Sequence, residues 1–520
     1  TSAALWAPVY MLPGILLGAA SLELPPDIAT RVMLILLFWS LFILLCLWLI
    51  RKIPAIIHQQ IIRALNALWN KLQKSRHGGL IKALLRHHNP AQTSIQLTLF
   101  FYLLLVSGVF AYLALFIKNH GSEALFINQS VYHLFRGIYT TDGKNIMVFI
   151  TLLGQKQVLL PAAALIIAWL FLQKRWNVAL HTSGLFCLTA ASIHFIKNYV
   201  QSARPWGVLE LPTSFSFPSG HSTLTTVFYI GFALLIAKSL TRFKRKLSYT
   251  LALAIAAIIS LSRLYLGVHW FTDIIGAWLL AAALLILISI LYNRYQDKPL
   301  KVKKLLSITF VCLFLIYLPA AYYYVPKLQN DFTKLDFPAQ ESEMDIWWNS
   351  QDKNFLPEWR VSLVGLPSQS INLEWADQLP TIEKTLMKSG WQTPPDRAWI
   401  DILFRVSGIQ SNEHLPLISP FYLDKKPALV LVKQVRKDKI LVIQLWPSNR
   451  VLSKTHEPIW VGVVGLVPRT YGWLSHHNKM DIDITPDLVF DGKTNAQHKL
   501  IQVMIPGKRR DRQQTILLVR

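Results

Sequence analysis

Apolar runs about twenty residues long recur along the first 325 positions of this chain, and few folds accept such a pattern. A helix needs ~20 apolar residues to cross the ~30 Å hydrocarbon core of a bilayer. The runs cover 30–50, 96–117, 146–172, 177–199, 222–240, 248–267, 271–293 and 304–325, which predicts eight spans, with a further apolar stretch at 4–21. Gly154, Gln155 and Lys156 interrupt the third run. Charged residues make up 16% and apolar residues 53% of the chain. Soluble domains carry about 25% charged residues, so the chain is short of charge, and the recurring apolar runs exclude a single soluble domain. Disorder needs low hydrophobicity and is excluded too. Cys46, Cys187 and Cys312 all lie inside apolar runs, which argues against a disulfide framework or a cysteine metal site.

Charge is unevenly placed. Residues 1–325 hold 28 Lys+Arg and 7 acids, whereas residues 326–520 hold 25 and 21. Most of the first group fall in four connections: 51–90, Lys174–Arg175, Lys238–Lys246 and Arg294–Lys304. Every second connection is basic, so the positive-inside rule orients all the spans without conflict. The basic connections are expected in the cytoplasm. Lys118–Lys144, Gln201–His221, Val268–Trp270 and everything after Tyr324 are expected on the other side. A nucleic-acid binder would carry its positive charge on a folded soluble face instead, so no nucleic-acid partner is expected.

Within 53–72, Ile57, Ile61, Leu65, Leu68 and Leu72 form one helical stripe, with Arg63 and Lys71 away from it. The stripe suits a helix lying on an anionic leaflet and equally a helix packed on the floor of the bundle. From 326 onward charge becomes common and apolar runs shorten. Strands are predicted at Arg360–Leu366, Ala428–Val432, Ile440–Trp446, Ile459–Leu466, Ile501–Ile505 and Thr515–Val519, and a helix at Trp375–Ser389. The expected fold is therefore mainly α: a polytopic membrane helical bundle with a C-terminal soluble α+β domain. The expected boundaries are 1–50, a basic linker at 51–95, a six-span core at 96–293, an extra span within 294–325, and an outer domain at 326–520.

Three polar groups interrupt the outer ends of the spans. Lys197 and Arg204 lie seven residues apart, close to two helical turns, and so share one helix face. Pro205 then disfavours further helix. Pro218-Ser219-Gly220-His221 sits directly before an apolar run, where the backbone N–H groups of a helix start favour an anion, and Gly220 permits close approach. Ser262-Arg263 is followed by His269 and, one turn later, Asp273, whose carboxylate can reach the ring. Lys197, Arg204 and Arg263 would trap a phosphate through charge and bidentate guanidinium geometry. Asp273 can hold Nδ1–H of His269, leaving Nε2 as a nucleophile. His221 can protonate the leaving oxygen. No carboxylate cluster offers itself to a catalytic metal, so the chemistry is expected to need no metal or other cofactor.

These eleven positions resemble the three signature motifs of the type 2 phosphatidic acid phosphatase and vanadium haloperoxidase superfamily, with no departure. The resemblance covers roughly 96–293. It implies His269 as the phosphohistidine, Asp273 as its support, His221 as the general acid, and phosphate contacts from Lys197, Arg204, Ser219, Gly220 and Arg263. Two weaker resemblances extend it. Leu5-Trp6-Ala7-Pro8 through Pro13-Gly14 and Gly18, with the run at 30–50, is similar to the end of DedA-type membrane proteins, and a chain starting at Thr1 is expected to continue such a unit upstream. His456-Glu457-Pro458-Ile459-Trp460-Val461-Gly462, with Asp481-Ile482-Asp483-Ile484, resembles the LssY-type C-terminal domain.

Other polar residues have plainer readings. Lys118 and Lys144 read as interfacial anchors, and Tyr322–Tyr324 as an aromatic belt. His181 reads as structural, and His194 as a packing residue on the Lys197 helix. His456, His476, His477, Asp481 and Asp483 include ligand types, but their spacing fits no zinc pattern. The expectation is an integral-membrane lipid-phosphate phosphatase, with undecaprenyl diphosphate the favoured substrate, in a bacterial inner membrane with its site facing the periplasm. Phosphatidic acid, phosphatidylglycerol phosphate and lipid A phosphates are competing substrates. The alternatives are a lipid phosphotransferase, or an envelope transporter or scaffold with a vestigial site. Anionic lipid at the cytoplasmic surface and an envelope protein on 326–520 are the expected partners.

Overall fold

The computed structural model describes residues 62–71, 90–237, 239–293, 300–335, 339–349, 359–361, 367–394, 425–436, 439–468, 484–490, 496–505 and 512–520, with residues 60, 74 and 422. The DedA-like stretch, the expected span at 30–50, part of the basic linker, and His476, His477, Asp481 and Asp483 lie outside the described residues. The chain divides after Leu335 into two compact units.

The first unit is helical: α1 (Pro90–His120), α2 (Phe126–Gly137), α3 (Thr141–Leu152), α4 (Lys156–Leu172), α5 (Trp176–Val200), α6 (Gly220–Ala237), α7 (Arg242–Tyr265), α8 (Phe271–Tyr292) and α9 (Val302–Asp331). Seven segments among the described residues are long and apolar enough to cross a membrane, α3 and α4 together making one of them. This is a multi-pass membrane protein. Its lipid-exposed character is visible in α1, where Leu104, Val109 and Tyr112 are exposed. Inside, α6 packs between α7 and α8, α1 runs along α8, and α9 lies against α3 and α4.

The interrupted run at 146–172 is a real break. Helix α3 closes at Leu152 and α4 restarts after Gln155. A Cβ on Gly154 would fall 2.5 Å from Thr225 Oγ1 and 2.6 Å from Ile259 Cγ2, so only glycine lets this corner press against α6 and α7. The connection expected between Lys118 and Lys144 is not plain loop. It contains α2, which buries Asn128, Tyr132 and Arg136 at successive turns. Lys144 corrects its expectation as an interfacial anchor. It is buried, and its Nζ donates to Gln329 O at 2.8 Å and Thr333 Oγ1 at 3.2 Å, supplying donors to the end of α9. Tyr322 and Tyr323 are strongly exposed, as a belt requires. Over 62–71 the chain is helical, with Trp69 buried against Leu97, Leu65 and Phe100 while Leu68 stays exposed.

The second unit is α+β. Its strands are β1 (Gln340–Ser342), β2 (Trp359–Val361), β3 (Pro367–Ser370), β4 (Leu373–Ala376), β5 (Leu429–Arg436), β6 (Lys439–Leu452), β7 (Pro458–Pro468), β8 (His498–Ile505) and β9 (Arg512–Val519). One sheet runs β1-β6-β7-β4-β9-β8, with β5 also on β6, and β2 pairs with β3 apart from it. Side chains alternate along each strand. Leu441, Ile443, Leu517 and Val519 pack beneath α11 (Leu379–Lys388) and α12 (Pro486–Phe490). Val461, Val463, Ile516 and Leu518 join the cluster of Trp347 from α10 (Met344–Asn349). The helix expected at Trp375–Ser389 begins later: Trp375 and Ala376 belong to β4, and Pro380 sits in the first turn of α11, where its missing N–H costs nothing.

Candidate active site

Helix α5 brings Lys197 to its last turn. Gln201 then adopts the left-handed conformation (φ 55°) and donates its N–H to Lys197 O at 2.9 Å, ending the helix. The chain turns through Arg204 and returns through Ser214–Ser219 to the start of α6 at Gly220. Ser219 N donates to Asp273 O at 3.1 Å, which pins that start to the first turn of α8. Packing does not demand glycine at position 220, where an added Cβ would meet Ile193 and Lys197 only at 3.6 and 3.9 Å.

Helix α7 carries Arg263 in its last turn, and the short connection to α8 carries His269. His269 Nδ1 is 3.0 Å from Asp273 Oδ2. The same oxygen accepts Trp270 N at 2.9 Å and the hydroxyl of Ser216. Ser216 Oγ also lies 3.3 Å from His269 Nδ1. Arg204 Nη1 donates to Val268 O at 2.7 Å and reaches His269 Nε2 at 3.1 Å, while its Nε and Nη2 donate to Ser214. Lys197 donates to the carbonyls of Phe215 and Ser216.

Arg263 is 2% exposed. Its Nη1 donates to Thr151 Oγ1 at 2.9 Å, and its guanidinium sits over the Phe332 ring at 5.3 Å. Its Nε has no hydrogen-bond partner among the described residues, and neither contact supplies a counter-charge. A buried cation without one favours an incoming anion. His221, half-buried in the first turn of α6, completes the group.

The field converges on one ring. Burial holds His269 well below its ordinary 6.5, and Arg204, Arg263, Lys197 and His221 all push the same way. His269 is therefore neutral at neutral pH. Burial pulls the Arg204 guanidinium down to about 10, with Asp273 opposing, so it stays a cation. Lys197, Arg204, Ser219, His221, Arg263, His269 and Asp273, drawn from three separated motifs, thus share one end of the bundle. His194 points away from them, exposed and 3.2 Å from Asn198 Nδ2. His181 contacts Asn177 O and the Tyr292 ring at the other end. His456 sits at the left-handed turn between β6 and β7 (φ 55°). Among the described residues no group of three or more His, Cys, Asp or Glu is placed to hold a metal ion.

Sequence reasoning missed the residues that hold this end together. Ser216 stands two residues before the Pro218 motif, with nothing but proximity to mark it. Helix α2 supplies the rest. Tyr132 donates to Trp206 O, Arg136 Nη1 to Gly207 O at 3.0 Å, and Arg136 Nη2 to Leu335 O at 2.8 Å. Asn128 Oδ1 accepts Thr272 N at 3.0 Å at the head of α8. Their signal was a polar stripe at four-residue spacing, which reads as surface when the buried face is the polar one.

The chain matches the family model described as PAP2 superfamily over residues 178–297 and that described as LssY C-terminus over 354–505. It is 34% identical over 146 residues to a phosphatidylglycerophosphatase B of Bacillus subtilis, covering 28% of this chain and 72% of that relative. It is 29% identical over 185 residues to an undecaprenyl-diphosphatase of Sulfolobus acidocaldarius, covering 34% of this chain and 83% of that one. It is also similar to a solved transmembrane PAP2-type phosphatidylglycerolphosphate phosphatase from Bacillus subtilis, at 28% identity and a TM-score of 0.35, covering 38% of this chain and 98% of that one. The motif set at one end of the bundle and the 34% identity across 72% of the Bacillus phosphatidylglycerophosphatase B lead to one conclusion: the chain belongs to the PAP2 superfamily.

Proposed function

We propose that this protein hydrolyses a lipid phosphate through a phosphohistidine on His269. The observation that carries this reading is Arg204 Nη1 at 3.1 Å from His269 Nε2. Arginine has donors only, so Nε2 must present its lone pair and the ring proton must sit on Nδ1, facing Asp273. That is the tautomer an attacking histidine needs.

The residues then divide the work. A terminal phosphoryl group settles among Lys197, Arg204 and Arg263, with Ser219 and the first N–H groups of α6 as neutral donors. Its oxygens take Arg204 away from Nε2. Nε2 attacks phosphorus in line, the bond to the lipid oxygen breaks, and His221 gives that oxygen its proton. Water, losing its proton to His221, then attacks the phosphohistidine and releases inorganic phosphate. The three cations offset charge on the equatorial oxygens throughout, which is where phosphoryl transfer gains most. No metal enters any step.

For the substrate we favour undecaprenyl diphosphate, cut between its two phosphates to leave the monophosphate. The name of the Sulfolobus relative supports it, as does a site at the non-basic end of the bundle, where a tail can stay in the bilayer. The name of the Bacillus relative makes phosphatidylglycerol phosphate the competitor. The alternation of basic connections supports a periplasmic site, and periplasmic residues 326–520, in a bacterial inner membrane.

The test is phosphate release from a panel of undecaprenyl diphosphate, phosphatidylglycerol phosphate and phosphatidic acid in detergent with chelator. Release should be fastest on the first, persist in chelator, and vanish in His269→Ala. Equal release by the variant and the parent overturns the enzyme. Labelled phosphate appearing on a second lipid would favour transfer. Orientation is read separately. A cysteine replacing exposed Thr213 should react with an impermeant reagent from the periplasm, and one replacing Thr241 should not.

A further inference from the structure

A second hollow lies in the half of the bundle away from His269. It measures about 420 Å³, within the ~300–1,000 Å³ of small-molecule sites. Its walls come from α4, α5, α6 and α8 and include Ile166, Val178, Leu185, Val227, Phe232 and Leu285. None of the seven active-site residues lines it. Leu185, one of its lining residues, precedes Lys197 by twelve residues on α5, roughly 18 Å along a helix. Its polar lining gathers near the basic end: His181, Arg245, Tyr249 and Asn293. Arg245 is exposed in the first turn of α7, beside Arg242, Lys244 and Lys246. Residues 156–200, 220–265 and 274–293, which frame the hollow, contain no Asp or Glu.

We infer that this hollow holds one acyl chain of a resident anionic phospholipid, whose phosphodiester meets Arg245 at the mouth. Three observations support the occupant. Away from that basic end the lining is mostly apolar, so water gains too few hydrogen bonds there to fill it. The surrounding helices cross a membrane, so the apolar chains at hand are lipid tails. The rim is cationic, with no acid in the described helices that frame it, which selects a negative head group over a zwitterionic one. Gly231 opens the space. A Cβ there would meet Leu285 and Leu185 at ordinary contact, 3.4 and 3.6 Å, so a larger side chain at 231 would project into the hollow rather than clash with backbone.

The test is native mass spectrometry of the purified chain, offered phosphatidylglycerol or phosphatidylcholine with sixteen- and eighteen-carbon tails. The parent should retain one phosphatidylglycerol about tenfold better than phosphatidylcholine, and excess inorganic phosphate, which occupies the catalytic end, should not displace it. Gly231→Leu should remove that adduct. Leu285→Trp, filling the hollow from the opposite wall, should do the same and serves if the first variant fails to fold. Arg245→Gln should keep lipid but lose the preference between the two heads. Unchanged retention in both filling variants, equal retention of phosphatidylcholine or detergent by the parent, or displacement by phosphate would each overturn the assignment. Loss of activity in His269→Ala bears on the catalytic reading alone and leaves this one standing.

Discussion

Arg204 Nη1 rests 3.1 Å from Nε2 of His269, so in the proposed mechanism the cation that grips the substrate also guards the nucleophile. Before substrate arrives, the lone pair is occupied and the tautomer fixed. When phosphate oxygens compete for the guanidinium, the nitrogen is released at the place where phosphorus sits. Binding and activation are one exchange of hydrogen bonds.

Asp273 tests the tautomer. Its Oδ2 receives His269 Nδ1–H, Trp270 N and Ser216 Oγ. Asp273→Asn keeps the shape but can offer an NH₂ where an acceptor is needed, turning the ring the wrong way. By analogy with other carboxylate–histidine pairs, kcat for phosphate release should fall by about 10³–10⁴, with KM little changed. Activity within tenfold of the parent would mean that the carboxylate does not set the tautomer.

The pH profile tests the field at His269. Burial first, and Arg204 next, hold this histidine well below 6.5. A lowered value keeps the ring neutral through weak acid, so activity should be lost only as pH falls through that lower value. Taking away the neighbouring cation makes protonation easier. Arg204→Gln should therefore shift the acid limb of kcat/KM to higher pH, besides weakening the enzyme. An acid limb that stays put in this variant would show that Arg204 exerts no charge on the nucleophile.

The candidate site residues were legible as short motifs: a lysine and an arginine seven residues apart, a hydroxyl before a helix start, a carboxylate one turn from a histidine. One part of that reading is corrected: α5 ends at Val200, so Lys197 and Arg204 do not share a helix face and meet instead across the turn that Gln201 begins. The spans were legible because the bilayer imposes one length on every helix. The supports of the site were not. Asn128, Tyr132 and Arg136 act through backbone carbonyls and amides far along the chain, and no spacing rule records which carbonyl a side chain will meet. Lys144 was misread for the same reason. A lone lysine near a span end looks alike whether it reaches water or the last carbonyls of another helix. In the second unit, β4 was hidden because Trp375 and Ala376 run directly into helix α11 with only a short turn between.

Ser216 should matter by degrees. Its hydroxyl serves Asp273 and lies 3.3 Å from His269 Nδ1. A hydrogen bond to a charged group contributes about 1.5–3 kcal/mol, so Ser216→Ala should lower kcat roughly ten- to hundredfold, and Ser216→Thr, which keeps the hydroxyl, should recover part of it. The split between kcat and KM separates this role from simple damage. A rise confined to KM would mean that Ser216 shapes the phosphate pocket and leaves the histidine alone.

Arg136 tests whether α2 holds the loop that carries Arg204. It is 5% exposed, and its guanidinium joins Gly207 O and Leu335 O. Gly207 itself has φ 121°, a conformation other residues avoid, and a Cβ there would fall 2.0 Å from Arg136 Nη1. Either partner can be attacked. Arg136→Met takes a donor from Leu335 O and leaves Gly207 O with Leu335 N alone, at about 1–3 kcal/mol for a buried group left unpaired. Gly207→Ala forces the guanidinium aside and strains the backbone by about 1–3 kcal/mol. Arg204 lies three residues before Gly207, so both variants should lower the thermal midpoint by several degrees and raise KM for lipid phosphate, with the acid limb of kcat/KM unmoved. A double variant should cost less than the sum, since one contact is lost in both. Full additivity in thermal unfolding would show that the two residues do not act through each other.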